Sequence, residues 1–168
     1  MDNIVYLKGR TDLFSIVVKT ADETLNTSTT LQDDNDLLFA VAANKSYQFA
    51  LTLYVYGAAN GATMDFKCGW TVPASATMAW APVATTVATD PTFMGNAAAS
   101  GHTALLTEAS TPAFGLSTTA TAHGIRLHGR VRTAGTAGNV QFQWAQNTSN
   151  GSNLVVEEDS NILIWTLQ

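Results

Sequence analysis

Apolar and polar residues alternate along most of this chain, which is the period of a β-strand with one buried face. The clearest stretch runs from Ser46 to Tyr56, where one face holds Tyr47, Phe49, Leu51, Leu53 and Val55. No stretch shows the period of an amphipathic helix. The pattern therefore predicts an all-β protein.

The same alternation, bounded by turn residues, predicts further strands over 63–72, 77–81, 124–133, 139–147, 153–157 and 161–167. We expect the strand 63–72 to pair with the strand 46–56 as a β-hairpin. With the N-terminal pieces there are about eight strands, the number in a jelly roll or a similar two-sheet sandwich. The predicted fold is an antiparallel β-sandwich that is jelly-roll-like.

Two segments depart from this pattern. Residues 1–18 hold two short β-like pieces around a charged turn, and we expect an N-terminal arm or edge strand pair there, with 19–168 as the β-sandwich domain. Residues 83–121 form a long Ala/Thr/Ser-rich loop that is either a disordered insertion or a flap that orders on a neighbouring subunit. We favour the flap, because its Phe and Leu side chains are too apolar to remain in water.

Charged residues make up only 12% of the chain, about half the usual share. Either small hydroxyl and amide side chains cover the surface, or neighbouring subunits hide much of it, which we favour because aromatic residues are common in interfaces. The net charge of −5 and the eight Lys and Arg residues argue against a nucleic-acid partner, which requires a basic surface.

The sequence also argues against a membrane partner and a disulfide. No stretch approaches the roughly 20 apolar residues of a membrane span, and the first residues lack the pattern of a signal peptide. We therefore expect synthesis in a cytoplasm. Cys68 is the only cysteine, and its apolar neighbours predict a small buried side chain.

No group of residues matches a catalytic or cofactor motif. The three histidines lack the helical spacing of a zinc site, and no nucleophile elbow occurs. Asp33, Asp34 and Asp36 resemble part of a calcium loop, but the later Gly and Glu are missing, so we interpret them as a solvated acidic turn. We predict no enzyme activity, no metal and no cofactor.

Strand alternation over 125–132 places Arg126, His128, Arg130 and Arg132 on one face. Stacked like charges repel, so this face is either an ordinary solvated surface or a contact with an acidic segment, 22–36, of the same or a neighbouring subunit. The predicted interface residues are Ile4, Val5, Tyr6, Leu7, Phe14, Ile16, Val18, Asp33, Asp34, Asp36, Arg126, His128, Arg130 and Arg132.

Four segments resemble a module of structural proteins from tailed phages and prophages. They are STTLQDDNDL over 28–37, FAVAANKSY over 39–47, TVPASATMAW over 71–80 and TAGTAGNVQFQWAQNTS over 133–149. The third departs from the Gly-Pro start of the module, which is a small change of turn. The resemblance covers residues from Lys19 to the end and leaves 1–18 outside it.

This resemblance implies a virion component made in the host bacterial cytoplasm. The expected function is a capsid decoration (cement) or head-fibre protein, trimeric, that binds the major capsid protein or other virion proteins. The alternative is a tail-fibre or receptor-binding module that recognises host glycans through exposed Trp and Tyr faces with Gln and Asn hydrogen bonds.

Overall fold

The computed structural model describes residues 14–57, 65–83, 105–116 and 122–167. Within these ranges the chain is built of β-strands without a helix, which confirms the predicted all-β class. The strands are β1 (Phe14–Val18), β2 (Glu23–Leu25), β3 (Gln32–Val41), β4 (Ser46–Gly57), β5 (Asp65–Thr71), β6 (Thr77–Pro82), β7 (Ala113–Gly115), β8 (His123–Arg132), β9 (Gly138–Gln146), β10 (Leu154–Val156) and β11 (Asn161–Leu167). No helix long and apolar enough to cross a bilayer occurs in these ranges.

The larger sheet is organised around β4. Along one side, β4 pairs with β8, and β6 lies beyond β8. Along the other side, β4 pairs with β11 over its first half and with β10 over its second half. β1 then pairs with β11, and β2 with β10, all antiparallel.

The smaller sheet contains β3, β9, β5 and β7 in that order, also antiparallel. The predicted hairpin between 46–56 and 63–72 is therefore wrong, because β4 and β5 belong to different sheets. Crossing from one sheet to the other lets the apolar faces of both strands meet in the core, which a hairpin within one sheet would not achieve. The two packed antiparallel sheets are as predicted.

Aromatic side chains join the two sheets. The ring of Phe49 on β4 lies 4.9 Å from that of Trp70 on β5. Trp70 also contacts Phe142 on β9, at 5.0 Å between ring centroids, and Trp80 on β6, at 6.5 Å. Rings at such tilted angles stabilise a core beyond the effect of their buried area.

The two unusual segments are partly described. Phe14–Val18, predicted as part of the arm or edge pair, forms β1 at the edge of the larger sheet, whereas the predicted piece 4–7 lies outside the described residues. Within 83–121, β7 pairs with β5, and Phe114 and Leu116 are buried against their own sandwich. For these two residues the expectation of burial on a neighbouring subunit is wrong.

Candidate functional site

The outer face of β8 presents the four basic residues predicted to share it, which we call the basic row: Arg126, His128, Arg130 and Arg132. All four are exposed, while the residues between them face the core or the neighbouring strands. Their neighbours across the strand pairs are uncharged, namely Thr52, Ala50, Gln48 and Ser46 on β4 and Ala81, Ala79 and Thr77 on β6. No ion pair with a described carboxylate balances the row.

On the same outer face of the larger sheet, with β11 and β4 between β1 and β8, the edge strand exposes a line of apolar side chains, which we call the apolar edge: Phe14, Ile16 and Val18 on β1. Their exposed fractions are 50%, 53% and 41%. The ring of Phe14 lies 5.9 Å from that of Trp165 on β11. The far side of β1 has no partner strand among the described residues. Natural sheets usually protect such an edge with charge or with a covering segment, so this one is a candidate interface.

The acidic residues of the predicted interface lie on β3, in the other sheet, and the structure does not bring them together with the basic row. Asp33 is exposed and accepts a hydrogen bond from Gln143 Nε2 at 2.7 Å. Asp36 is half-buried and accepts one from the Thr20 amide at 3.0 Å. The predicted solvated turn is therefore wrong, because these residues belong to a strand of the sandwich.

Asp34 is buried with Lys19, which sequence reasoning did not identify as a site residue. Both side chains are almost fully buried, and Lys19 Nζ lies 3.1 Å from each carboxylate oxygen of Asp34. The same amine donates to Glu23 Oε2 at 2.8 Å. This pairing hides the Asp34 carboxylate, so it is not available to an arginine of a neighbouring subunit. The prediction of Asp34 as an interface residue is therefore wrong.

A bulge in β3 shapes this cluster. The pairing of β3 with β9 is interrupted between Asp33 and Leu38, which releases backbone amides from the ladder. The amides of Asp36 and Leu37 donate instead to Asp34 Oδ1, at 3.0 and 2.9 Å. Trp144 Nε1 donates to Asp34 Oδ2 at 3.1 Å.

The electrostatics of the cluster favour a charged amine. Burial lowers the pKa of the Lys19 amine, but the hydrogen bonds and charges of Glu23 and Asp34 raise it by more, so the net shift is upward from 10.5. Glu23 is itself fixed by Gln32 Nε2 at 2.8 Å and by the Asn35 amide at 3.1 Å. Lys19 and Asp34 are 15 residues apart in sequence, and no local pattern indicates their contact.

A second feature that the sequence analysis did not predict is a shallow acidic groove on the larger sheet. It is lined by Asp22, Tyr54, Glu157, Glu158 and Asp159. The Glu158 amide donates to Asp22 Oδ1 at 2.9 Å, which joins the two loops. In the described part of the chain, no three His, Cys, Asp or Glu side chains are arranged to hold a metal ion.

Cys68 lies in the core, as the sequence predicts. It is completely buried, and burial raises the pKa of its thiol far above the ordinary value. A thiol in this state is a packing group and not a nucleophile.

Neither the protein-family models nor the curated proteins contain a match to this sequence.

Proposed function

We propose that this chain is a virion structural protein of a tailed bacteriophage, a capsid decoration (cement) or head-fibre protein that binds and stabilises the capsid lattice. The observation on which the proposal rests is the apolar edge, where Phe14 and Ile16 expose half of their surfaces on a strand whose outer side has no partner among the described residues. Such an edge favours a protein that is completed by a neighbour. The sequence resemblance to phage structural modules is the reason for proposing a phage virion as the assembly.

The strand order supports a jelly-roll-like fold. In a jelly roll, one sheet places the first, eighth, third and sixth strands side by side, and the other places the second, seventh, fourth and fifth. If β1 and β2 count as the first strand and β10 and β11 as the last, the order β1-β11-β4-β8 matches the first sheet, with β6 added at its edge. The order β3-β9-β5-β7 matches the second. Jelly rolls are common in viral capsid and lectin domains, although a fold does not by itself assign a function.

Binding by strand addition explains how the edge would work. A strand of the major capsid protein or another virion protein pairs with the open side of β1, so that backbone hydrogen bonds give affinity and pockets for Phe14 and Ile16 give specificity. The basic row adds a contact that weakens with salt. Since the protein binds only the assembled lattice, it shifts the assembly equilibrium toward the capsid.

Self-association belongs to the same proposal. Only 12% of the residues are charged, which favours a surface that is partly covered by other copies, and we expect a trimer. The virion is the expected location.

Co-sedimentation with capsids that lack the protein tests the docking proposal. Ile16→Ser should weaken binding at least tenfold, since it removes an exposed apolar side chain from the contact, while the free energy of unfolding changes by less than about 0.5 kcal/mol. Tyr54→Ser is the matched control, because Tyr54 is 39% exposed but lies in the acidic groove, outside both the apolar edge and the basic row. Equal binding by wild type and Ile16→Ser would refute docking through the apolar edge.

A second variant tests the N-terminal piece. Deletion of residues 1–13 leaves β1 intact, so the fold should be retained while any contribution of the predicted strand 4–7 to docking is lost. Wild-type affinity of this shortened chain would refute that contribution, and it would leave the apolar edge as the docking element.

The acidic groove supports a second candidate, the receptor-binding module. Tyr54 is 39% exposed beside the carboxylates of Asp22 and Glu157, and an aromatic ring with nearby hydrogen-bond acceptors can bind a sugar of a host glycan. A glycan array with the purified protein separates the two candidates. Binding to a glycan that is lost in Tyr54→Ala would favour the receptor-binding function, whereas binding to capsids and to no glycan favours the decoration function.

A further inference from the structure

The cluster around Lys19 has the composition of a reactive site as well as that of an ion pair. Lys19 is 1% exposed and Asp34 is 1% exposed, and lysine and aspartate are seldom fully buried unless they are paired, as they are here. A buried ion pair recovers little free energy after its desolvation. The sandwich therefore holds an amine and a carboxyl group together at a cost that stability alone does not explain.

The amine is placed for attack on the carboxyl carbon. Lys19 Nζ is 3.1 Å from both Asp34 oxygens, which puts it within roughly 3.5 Å of Cγ, the separation of a near-attack pair. The carboxyl group cannot rotate away, because the Leu37 amide and Trp144 Nε1 hold its two oxygens at 2.9 and 3.1 Å.

The remaining groups suit the chemistry of amide formation. The amides of Asp36 and Leu37 both donate to Oδ1, where negative charge develops when the carbon becomes tetrahedral. Glu23 Oε2, 2.8 Å from Nζ, is in reach to accept a proton from the amine. Trp144 is fully buried and shields the cluster from water.

We propose that Lys19 and Asp34 condense into an intramolecular isopeptide bond with Glu23 as the proton carrier. This proposal is independent of the proposed function. The ammonium group first passes one proton to Asp34, which leaves a neutral amine and a neutral carboxylic acid. The transfer between paired groups leaves the net charge of the cluster unchanged.

The nitrogen lone pair then forms a bond to Cγ, and negative charge collects on Oδ1. Glu23 accepts a second proton from the nitrogen and delivers it to the hydroxyl at Oδ2. The Cγ–Oδ2 bond breaks, one water molecule leaves, and Oδ1 becomes the carbonyl oxygen of the new amide. An ammonium and a carboxylate are thereby converted into one amide and one water, with no change of oxidation state.

The bond would link Lys19, which directly follows β1, to Asp34 on β3 in the opposite sheet. Among the described strands, β1 pairs only with β11, so a covalent tie immediately after β1, at Lys19, would stop this edge from peeling away from the sandwich. A protein that bears load through this edge would gain most from such a tie.

Intact mass spectrometry of the full chain, purified and incubated at neutral pH, tests the proposal. Wild-type protein should be lighter than its sequence by one water, while Lys19→Arg should keep its full sequence mass. Asp34→Asn keeps the shape of the carboxyl group and should lose ammonia, so that its final mass equals that of the cross-linked wild type. Wild-type protein that retains its full sequence mass would overturn the proposal.

Two further measurements locate the bond and assign the proton carrier. Trypsin should fail to cleave after Lys19, and the missing water should lie in the peptide 11–45; a missing water elsewhere would overturn the assignment. Glu23→Gln keeps the shape but cannot accept the proton, so bond formation should be slower by roughly 100-fold. An unchanged rate would overturn the role of Glu23.

Discussion

Replacing Gly129 with alanine should destabilise the sandwich, because two aromatic residues occupy the space that a β-carbon would need. Gly129 on β8 faces Phe49 on β4 and Trp80 on β6. A β-carbon at this position would lie 2.5 Å from Phe49 Cζ and 2.7 Å from Trp80 Cβ. Carbon atoms pack at about 3.5–4.0 Å, so the substitution forces the core to move.

The size of the effect follows from how little these neighbours can yield. The Phe49 ring is held against Trp70 at 4.9 Å, and Trp80 Cβ moves only with the backbone of β6. Overpacking a core typically costs about 1–3 kcal/mol, and we expect the upper part of that range, about 2–3 kcal/mol. For a chain of this length, 1 kcal/mol corresponds to roughly 2–4 °C in Tm, so Tm should fall by about 4–12 °C.

Gly124→Ala is the matched control, because it lies on the same strand and its β-carbon would meet nothing within 4 Å. This substitution removes conformational freedom from the unfolded chain and should stabilise the protein by about 0.4–1 kcal/mol. Urea unfolding followed by tryptophan fluorescence gives both free energies. If Gly129→Ala were as stable as Gly124→Ala, the described packing of Phe49 and Trp80 around Gly129 in the larger sheet would be wrong.

Three other outcomes are expected. Exchange of the three arginines of the basic row for glutamine should weaken capsid binding more at low salt than at high salt, and an unchanged salt response would exclude an ionic contact. Cys68 should react with a thiol reagent only as the protein unfolds, because the thiol is buried with a raised pKa, and fast labelling of the folded protein would contradict this. Asp34→Ala should lower the free energy of unfolding by about 3 kcal/mol, since it removes one of the two carboxylates that pair with the buried Lys19 amine. The exposed neighbour Asp33 provides the control, because Asp33→Ala should change the free energy of unfolding by less than about 0.5 kcal/mol. Equal effects of the two substitutions would refute the pairing of Asp34 with Lys19.

Strands with one apolar face were predictable from the sequence. The prediction 161–167 coincides with β11, and 124–133 and 139–147 differ from β8 and β9 by one residue at each end. In these strands every second side chain enters the core, so the local alternation contains the necessary information. For the same reason, the basic row lies on the predicted face of β8.

Features that depend on distant residues were not predictable. β3 was missed because Asp33, Asp34 and Asp36 suggest a turn until the buried amine of Lys19 is known to pair with Asp34. The choice of partner for β4 was wrong for a related reason, since alternation shows that a strand has an apolar face but not which sheet it joins. The acidic groove combines Asp22 with the turn after β10, which no local pattern connects.

The central claim is that this chain is a component of a phage particle. Gold-labelled antibody against the protein, viewed by electron microscopy on intact particles released from cells that carry the gene, tests that claim directly. The account predicts label at regular positions on the heads. Particles that remain unlabelled, with the protein left in the particle-free fraction, would contradict it.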